Sequence, residues 1–200
     1  TIARLQCCFG LLVDWQRKTN LVSPTTLQSF WSRHVADSLQ CLALAPEAVK
    51  WADMGSGGGF PGLPIAIAGG AITDRRAGGF RVHPIESIHK KCAFLREASR
   101  IASAPAAVHC ERIESAAKRL ADSADHPEVV TARALAGLPE LLRLSEPFWK
   151  SGSRCLFHKG RGYESELAEC NGLWRFDLVV HPSRVEADSV LLEFRNLHRQ

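Results

Sequence analysis

The sequence predicts an α/β fold: a mostly parallel sheet with an antiparallel last strand, helices on both faces, and a helical extension ahead of it. Residues 1–45 carry apolar stripes of helical period and no strand-like run. From Val49 onward, short apolar runs alternate with longer helical stretches, the β-α-β rhythm of a parallel sheet. Only a turn around Pro182 separates the last two strand-like runs, so they are expected to pair antiparallel. The chain divides on this basis into an extension, 1–45, and a sheet domain, 46–200.

Leu5, Cys8, Phe9, Leu12 and Trp15 recur at steps of three and four and mark one face of a first helix. Ser23-Pro24-Thr25 breaks the chain and caps a second, striped by Leu27, Phe30, Trp31, Val35, Leu39 and Leu42, which Pro46 ends. Trp15 and Trp31 fall on these apolar faces and are expected in the core. Strands are then predicted over Val49–Asp53, Phe80–Ile85, Ala106–Cys110, Glu128–Arg133, Arg154–His158, Leu173–Val180 and Val190–Phe194. Helices are predicted over Pro61–Gly69, His89–Ala102, Ile113–Leu120, Leu138–Leu144 and Ser165–Cys170. In the second of these, Cys92, Leu95, Ala98 and Ile101 share one side.

At 200 residues, with 46% hydrophobic and 23% charged, the chain can bury a core without a disulfide or metal staple. Its seven cysteines form no CxxC pair, so they read as reduced, mostly buried thiols, and no metal site is expected. Thr1–Gly10 lacks a basic leader, and no run approaches the ~20 apolar residues of a membrane span. A soluble, cytoplasmic monomer is expected. The net charge of +4 and pI near 8.8 suit a polyanionic partner without requiring one.

The main chemical signal is Asp53-Met-Gly-Ser-Gly-Gly-Gly-Phe-Pro-Gly62, between a strand and a helix. Its glycines let the backbone turn sharply and approach a ligand, and a helix N-terminus offers amides to a carboxylate or phosphate. Gly57 to Gly62 also fits GxGxxG, the dinucleotide fingerprint, with Glu86 near the spacing of a ribose-binding acid. Three features weigh against NAD: Asp53 at the strand tip, where it is expected to face a ligand; the stiffening Pro61 and Pro64; and the long helical segment ahead of the first strand. Glu86 ends the second strand, where a carboxylate can accept both hydroxyls of a ribose. The third strand ends in Cys110-Glu111-Arg112-Ile113-Glu114, where an adenine is expected.

These motifs resemble the bacterial GidB family, which methylates guanine at N7 in small-subunit ribosomal RNA. The likeness runs over nearly the whole chain. It includes the glycine loop through Pro64, Trp15-Gln-Arg-Lys-Thr-Asn20-Leu and Arg33-His34-Val-Ala-Asp37-Ser38-Leu. It continues through Ile85-Glu-Ser-Ile-His-Lys-Lys-Cys-Ala-Phe-Leu95, Thr131-Ala-Arg133-Ala-Leu and His158-Lys159-Gly160. Departures are Gln16 where the family usually has Asn, His83-Pro84 inside the second strand, and a longer, more basic segment from Ile72 to Gly79.

The resemblance implies a Rossmann-like class I S-adenosylmethionine-dependent methyltransferase fold with S-adenosyl-L-methionine as cofactor. Gly55, Phe60, Glu86, Ile113, Glu114 and Arg133 are then expected to line the cofactor site, and the loop's own chemistry adds Asp53 and Gly57. Guanine N7 has a lone pair and no proton to lose, so alignment and electrostatics suffice without a general base. Arg133, ending the fourth strand, is accordingly the candidate catalytic group in a positioning role. It suits a guanine O6 edge, a methionine carboxylate or a phosphate, and a structural ion pair is the plainer alternative. The partner implied is small-subunit ribosomal RNA or an assembling subunit. RNA contacts are expected from Asn20, Arg33, His34, Lys90, Lys91, Lys159 and Arg161, with Arg17 and Lys18 beside them. The competing functions are methyl transfer to a protein or small molecule, an NAD-dependent oxidoreductase, and a non-catalytic RNA-binding module on a decayed fold.

Overall fold

The computed structural model describes residues 1–72 and 79–200. Seven strands form one sheet in the order β3-β2-β1-β4-β5-β7-β6. β1 (Lys50–Met54), β2 (Arg81–Glu86), β3 (His109–Cys110), β4 (Val129–Arg133) and β5 (Arg154–Lys159) run parallel. β7 (Val190–Arg199) enters between β5 and β6 (Trp174–Pro182), antiparallel to both. Successive strands build outward from β1 to β3 in one direction and from β4 to β5 in the other. The crevice beyond the strand ends at that reversal is where open α/β sheets bind ligands.

Helices α3 (Gly62–Ile72), α4 (His89–Ile101), α5 (Ile113–Ala121), α6 (Leu138–Ser145) and α7 (Tyr163–Glu169) connect the strands. Covered on both faces, β1 and β4 are buried along almost their whole length. Helix α3 is buried from Gly62 to Gly69 and shows no polar face. The reason lies in the extension: α1 (Ile2–Gln16) and α2 (Asp37–Leu44) pack on the side that would otherwise meet water. Leu5, Cys8, Leu12, Leu21, Phe30 and Val35 share one core with Phe60, Leu63, Ile67, Phe94 and Leu95.

The second predicted helix is instead three pieces: a 3-10 turn over Pro24–Ser29, a π-helical stretch over Phe30–Ala36, and α2. A π turn takes in an extra residue and slips the apolar stripe. Phe30, His34 and Val35 point inward, while Trp31 is 44% exposed, not in the core as expected. Trp15 is half-buried against Phe94. The predicted strand Ala106–Cys110 shrinks to two residues and an isolated bridge from Val82 to Ala106, because the Ala106 amide donates to Ala104 O in a tight turn. The β6–β7 hairpin is longer than predicted, reaching Pro182 and Arg199, with an irregularity between Arg175 and Asp177.

Five of the seven free cysteines are buried; Cys110 is half-buried and Cys7 exposed. Among the described residues no helix is long and apolar enough to cross a membrane, and no cluster of His, Cys, Asp or Glu is arranged to hold a metal. Residues 73–78, most of the unusual Ile72–Gly79 segment, lie outside the described residues.

A Cβ at Gly69 would lie 2.1 Å from Phe80 Cζ, so α3 rests against the start of β2. Helix propensity favours alanine there by about 1 kcal/mol, but overpacking costs about 1–3 kcal/mol. Gly69→Ala is therefore expected to lower the urea midpoint, and adding Phe80→Leu to recover part of the loss. A raised midpoint in the single variant would contradict this packing.

Candidate active site

The strand ends open into a cleft of about 1130 Å³. Its walls come from the segments following each parallel strand and from residues of the extension between Asn20 and Asp37. Gly55, Gly57, Phe60, Glu86, Ile113, Glu114 and Arg133 all line it. Asp53 does not, which corrects the expectation that it faces a ligand. It is 1% exposed, and its carboxylate points back into the loop. Asp53 Oδ2 accepts from Ser56 Oγ at 2.7 Å and Gly62 N at 3.1 Å, while Oδ1 accepts from Thr131 Oγ1 at 3.1 Å. Burial pushes its pKa up to about 6 against the pull of these donors.

This brace also answers the dinucleotide reading. In the first turn of α3 the Gly62 amide is spent on Asp53 and the Leu63 amide on Gly59 O, and Pro61 and Pro64 have no N–H. The helix N-terminus expected to offer free amides offers none to a pyrophosphate. The loop instead presents open backbone. At Gly57 (φ +52°) an added Cβ would meet only Gly55 O, at 3.7 Å, and would fill cleft space. At Gly58 it would lie 2.9 Å from Leu21 O. That strand of extension is fixed by Gln16, whose Oε1 accepts from the Leu21 and Val22 amides at 3.0 and 3.1 Å. Its Nε2 donates to Val22 O at 2.7 Å.

Glu86 sits at the end of β2 and is 8% exposed. Its Oε2 accepts from Gly57 N at 3.0 Å, and its Oε1 from the Ser87 and Ile88 amides at 2.8 and 2.9 Å. Three backbone donors fix the carboxylate, and its remaining lone pairs serve the cleft. Ile113 and Glu114 follow β3 along the same wall, both half-buried.

Arg133 reaches across to the extension. Nη1 donates to Arg33 O at 2.8 Å and lies 3.4 Å from Asp37 Oδ2; Nη2 donates to His34 Nδ1 at 2.7 Å. The guanidinium lies 5.2 Å from the Phe60 ring centroid. An arginine only donates, so His34 Nδ1 is the acceptor and Nε2 carries the hydrogen. Nε2 is 2.9 Å from Thr26 Oγ1, and the ring stacks on Phe60 with centroids 4.5 Å apart. Burial and Arg133 lower the His34 pKa to about 4. His34 thus meets Arg133 as a neutral acceptor. Burial also lowers the Arg133 pKa, with Asp37 opposing it.

The remaining expected RNA contacts divide. Arg33 pairs with Glu186 at 3.2 Å, Lys159 with Glu166 at 2.6 Å, and Arg161 with Asp188. Asn20, Lys91 and Arg33 line the cleft, whereas Lys90 and Arg161 lie outside its walls. Among the described residues Arg17, Lys18, Lys90 and Lys91 make no ion pair. Sequence reasoning assigned no role to Asp37, His158, Ser56 or Thr131, although all four stood inside recognised motifs.

Because Asp53 titrates higher when folded than its ordinary value near 3.8, the folded chain holds the extra proton between about pH 4 and 6. This group's contribution therefore makes stability fall as pH rises through that window. Urea unfolding at pH 4.5 and 6.5 is expected to show a steeper decline for the native sequence than for Asp53→Asn. Equal slopes would contradict the buried assignment.

Residues 1–190 match the sequence model of the family described as GidB, rRNA small subunit methyltransferase G. Proteins named ribosomal RNA small subunit methyltransferase G from Brucella ovis and Brucella canis are each 45% identical over 200 residues, covering 100% of this chain and 90% of the relative. Among solved structures, cofactor-bound Rv0187 from MTB superposes with a TM-score of 0.65 at 14% identity, covering 96% of this chain and 89% of that one. An O-methyltransferase from Bacillus cereus, in complex with SAH, gives 0.61 at 14% identity, with 94% and 90% covered. The structural likenesses are at the level of fold, that of class I methyltransferases. The match over almost all of its length makes this chain a member of the GidB family.

Proposed function

We propose that the protein transfers a methyl group from S-adenosylmethionine to N7 of a guanine in small-subunit (16S) ribosomal RNA. The observation that carries the reading is the pairing of Glu86 with Gly57 at the fold's switch point, opposite an Arg133 held by four groups. Glu86 offers acceptors for the two hydroxyls of a ribose, and Ile113 an apolar edge for an adenine with Glu114 beside it. Gly55, Gly57 and Phe60 bound the space for the methionine part. Asp53 supports the loop from behind.

The cofactor supplies a methyl group on a sulfonium, already a strong electrophile. The protein's part is to align donor and acceptor and to keep water from the cleft. No general base is required, because N7 has no proton to give up. Arg133 has donors left for the guanine O6 edge or the methionine carboxylate. Arg17, Lys18, Lys90 and Lys91, without acidic partners among the described residues, serve the RNA backbone better than Lys159 or Arg161, which are paired. The substrate places the activity in the cytoplasm, on ribosomal RNA or an assembling subunit.

Tritiated methyl transfer to small subunits and to naked ribosomal RNA, both from a strain lacking the enzyme, tests this. Label is expected in 7-methylguanosine after nuclease digestion, with transfer falling steeply as salt rises. Label found only in protein or small molecules would refute the substrate. Gly55→Val and Arg133→Ala are each expected to reduce transfer about a hundredfold or more while far-UV circular dichroism stays unchanged. Near-native transfer in both would remove these residues from the site.

A further inference from the structure

Asp37 is a buried acid in the cleft wall that neither cofactor binding nor RNA binding employs. It begins α2, directly after the π-helical stretch, and is 8% exposed. Its Oδ1 accepts from Gln40 Nε2 at 2.9 Å. Its Oδ2 is 3.4 Å from Arg133 Nη1 and 3.6 Å from His158 Nε2, and His158 Nε2 also donates to the Asp37 carbonyl at 3.2 Å. A carboxylate from the extension is therefore held over the end of β4 by two side chains of the sheet. Among the described residues it is the one acid within ion-pair distance of Arg133.

We propose that Asp37 is the counter-charge of Arg133, keeping the acceptor end of the cleft electrically neutral so that it tolerates a cationic methyl donor. The inference rests on the methyl-transfer reading. In that reaction the N7–CH3 bond forms as the S–CH3 bond breaks, no proton is released, and one positive charge passes from sulfur to the guanine ring. The cleft thus holds an extra positive charge from the moment the donor binds until the product leaves. A half-buried guanidinium facing it alone would repel that charge throughout.

The other neighbours of Arg133 do not supply the cancelling charge. His34 accepts from it as a neutral imidazole, and Arg33 and Phe60 contribute a carbonyl and a ring face. Asp53 also attracts Arg133, but from behind the glycine loop, beyond ion-pair distance and with its oxygens committed to Ser56, Gly62 and Thr131. Glu186 and Glu166 are taken by Arg33 and Lys159. Asp37 is a positioning residue by this account, acting on the ligand through Arg133.

The charge at sulfur can be isolated without any turnover. S-adenosylmethionine and S-adenosylhomocysteine share the adenosine and amino-acid parts, but only the first carries the sulfonium. Calorimetry with both ligands gives their affinity ratio for each variant. A unit charge within about 10 Å at an effective dielectric near 20 changes such a ratio by roughly tenfold. Asp37→Asn is expected to shift preference toward S-adenosylhomocysteine by about that factor, and Arg133→Gln to shift it the other way. The double variant is expected to return to within about twofold of the native ratio.

A merely structural brace would weaken both ligands alike and leave the ratio unmoved in every variant. That result, or shifts of the same sign in the two single variants, would overturn the proposal. Asp37→Glu keeps the charge and is expected to keep the ratio. It supplies the comparison should the Asn variant fail to fold, and a changed ratio there would also count against the idea. Native protein that binds neither ligand would overturn the cofactor reading and this inference together; tight binding with unmoved ratios would overturn this inference alone.

Discussion

A single buried carboxylate organises the centre of this molecule. Asp53 lies one residue before the end of β1, the central one of the five parallel strands, and binds Ser56, Gly62 and Thr131, so it joins β1, the glycine loop, α3 and β4 at one point. An unpaired carboxylate in so dry a place would be prohibitively costly. Three donors, each worth about 1.5–3 kcal/mol to a charged acceptor, offset part of the desolvation. The loop geometry follows from this brace: Gly62 can have no Cβ because the Asp53 carboxylate fills that space at 2.7 Å. With its α3 end pinned, the loop turns its open glycines to the cleft and its amides away from any phosphate.

The second organising contact runs between the sheet and the extension. Arg133 leaves β4 and meets Arg33 O, His34 and Asp37, while Gln16 fixes the segment that backs Gly58. The π-helical turn makes this possible by setting His34 and Val35 inward and bringing the Arg33 carbonyl within reach of Arg133. The first 45 residues therefore do more than cover α3. They supply one wall of the cleft and the partners of Arg133. An RNA approaching that wall would bear on the groups that hold Arg133.

Charge is distributed unevenly around this cleft. Cations at and after the end of β5 are neutralised by nearby acids, whereas among the described residues those at the end of α1 and the start of α4 make no ion pair. The mild net charge of +4 conceals that asymmetry. Inside, the titratable groups are tuned toward neutrality: His34 is held uncharged, and Arg133 is matched by Asp37. Such a cleft suits chemistry in which a positive charge is carried in and passed on.

Much of this was written in the sequence. The alternation of apolar runs set the parallel sheet, because a strand buried on both faces has no polar side to show. The short link at Pro182 set the antiparallel hairpin. The glycine loop and Glu86 stood out because close backbone approach and strand-end acids leave strong local signatures. Asp53 was legible as important but misjudged in direction, since spacing does not say to which side of a loop a carboxylate turns. Trp31 was misjudged because a helix wheel assumes a constant pitch, and the partners of His34, Lys159 and Arg161 were not legible because a residue list carries none. The sequence alone determined the elements, their order and the cleft's position, all governed by local periodicity and connection length. Only the tertiary structure decided that Asp53 faces inward, that Asp37 meets Arg133 across 96 residues, and which cations remain unpaired. Those outcomes depend on contacts between segments far apart in the chain, where direction and distance in space are set by packing.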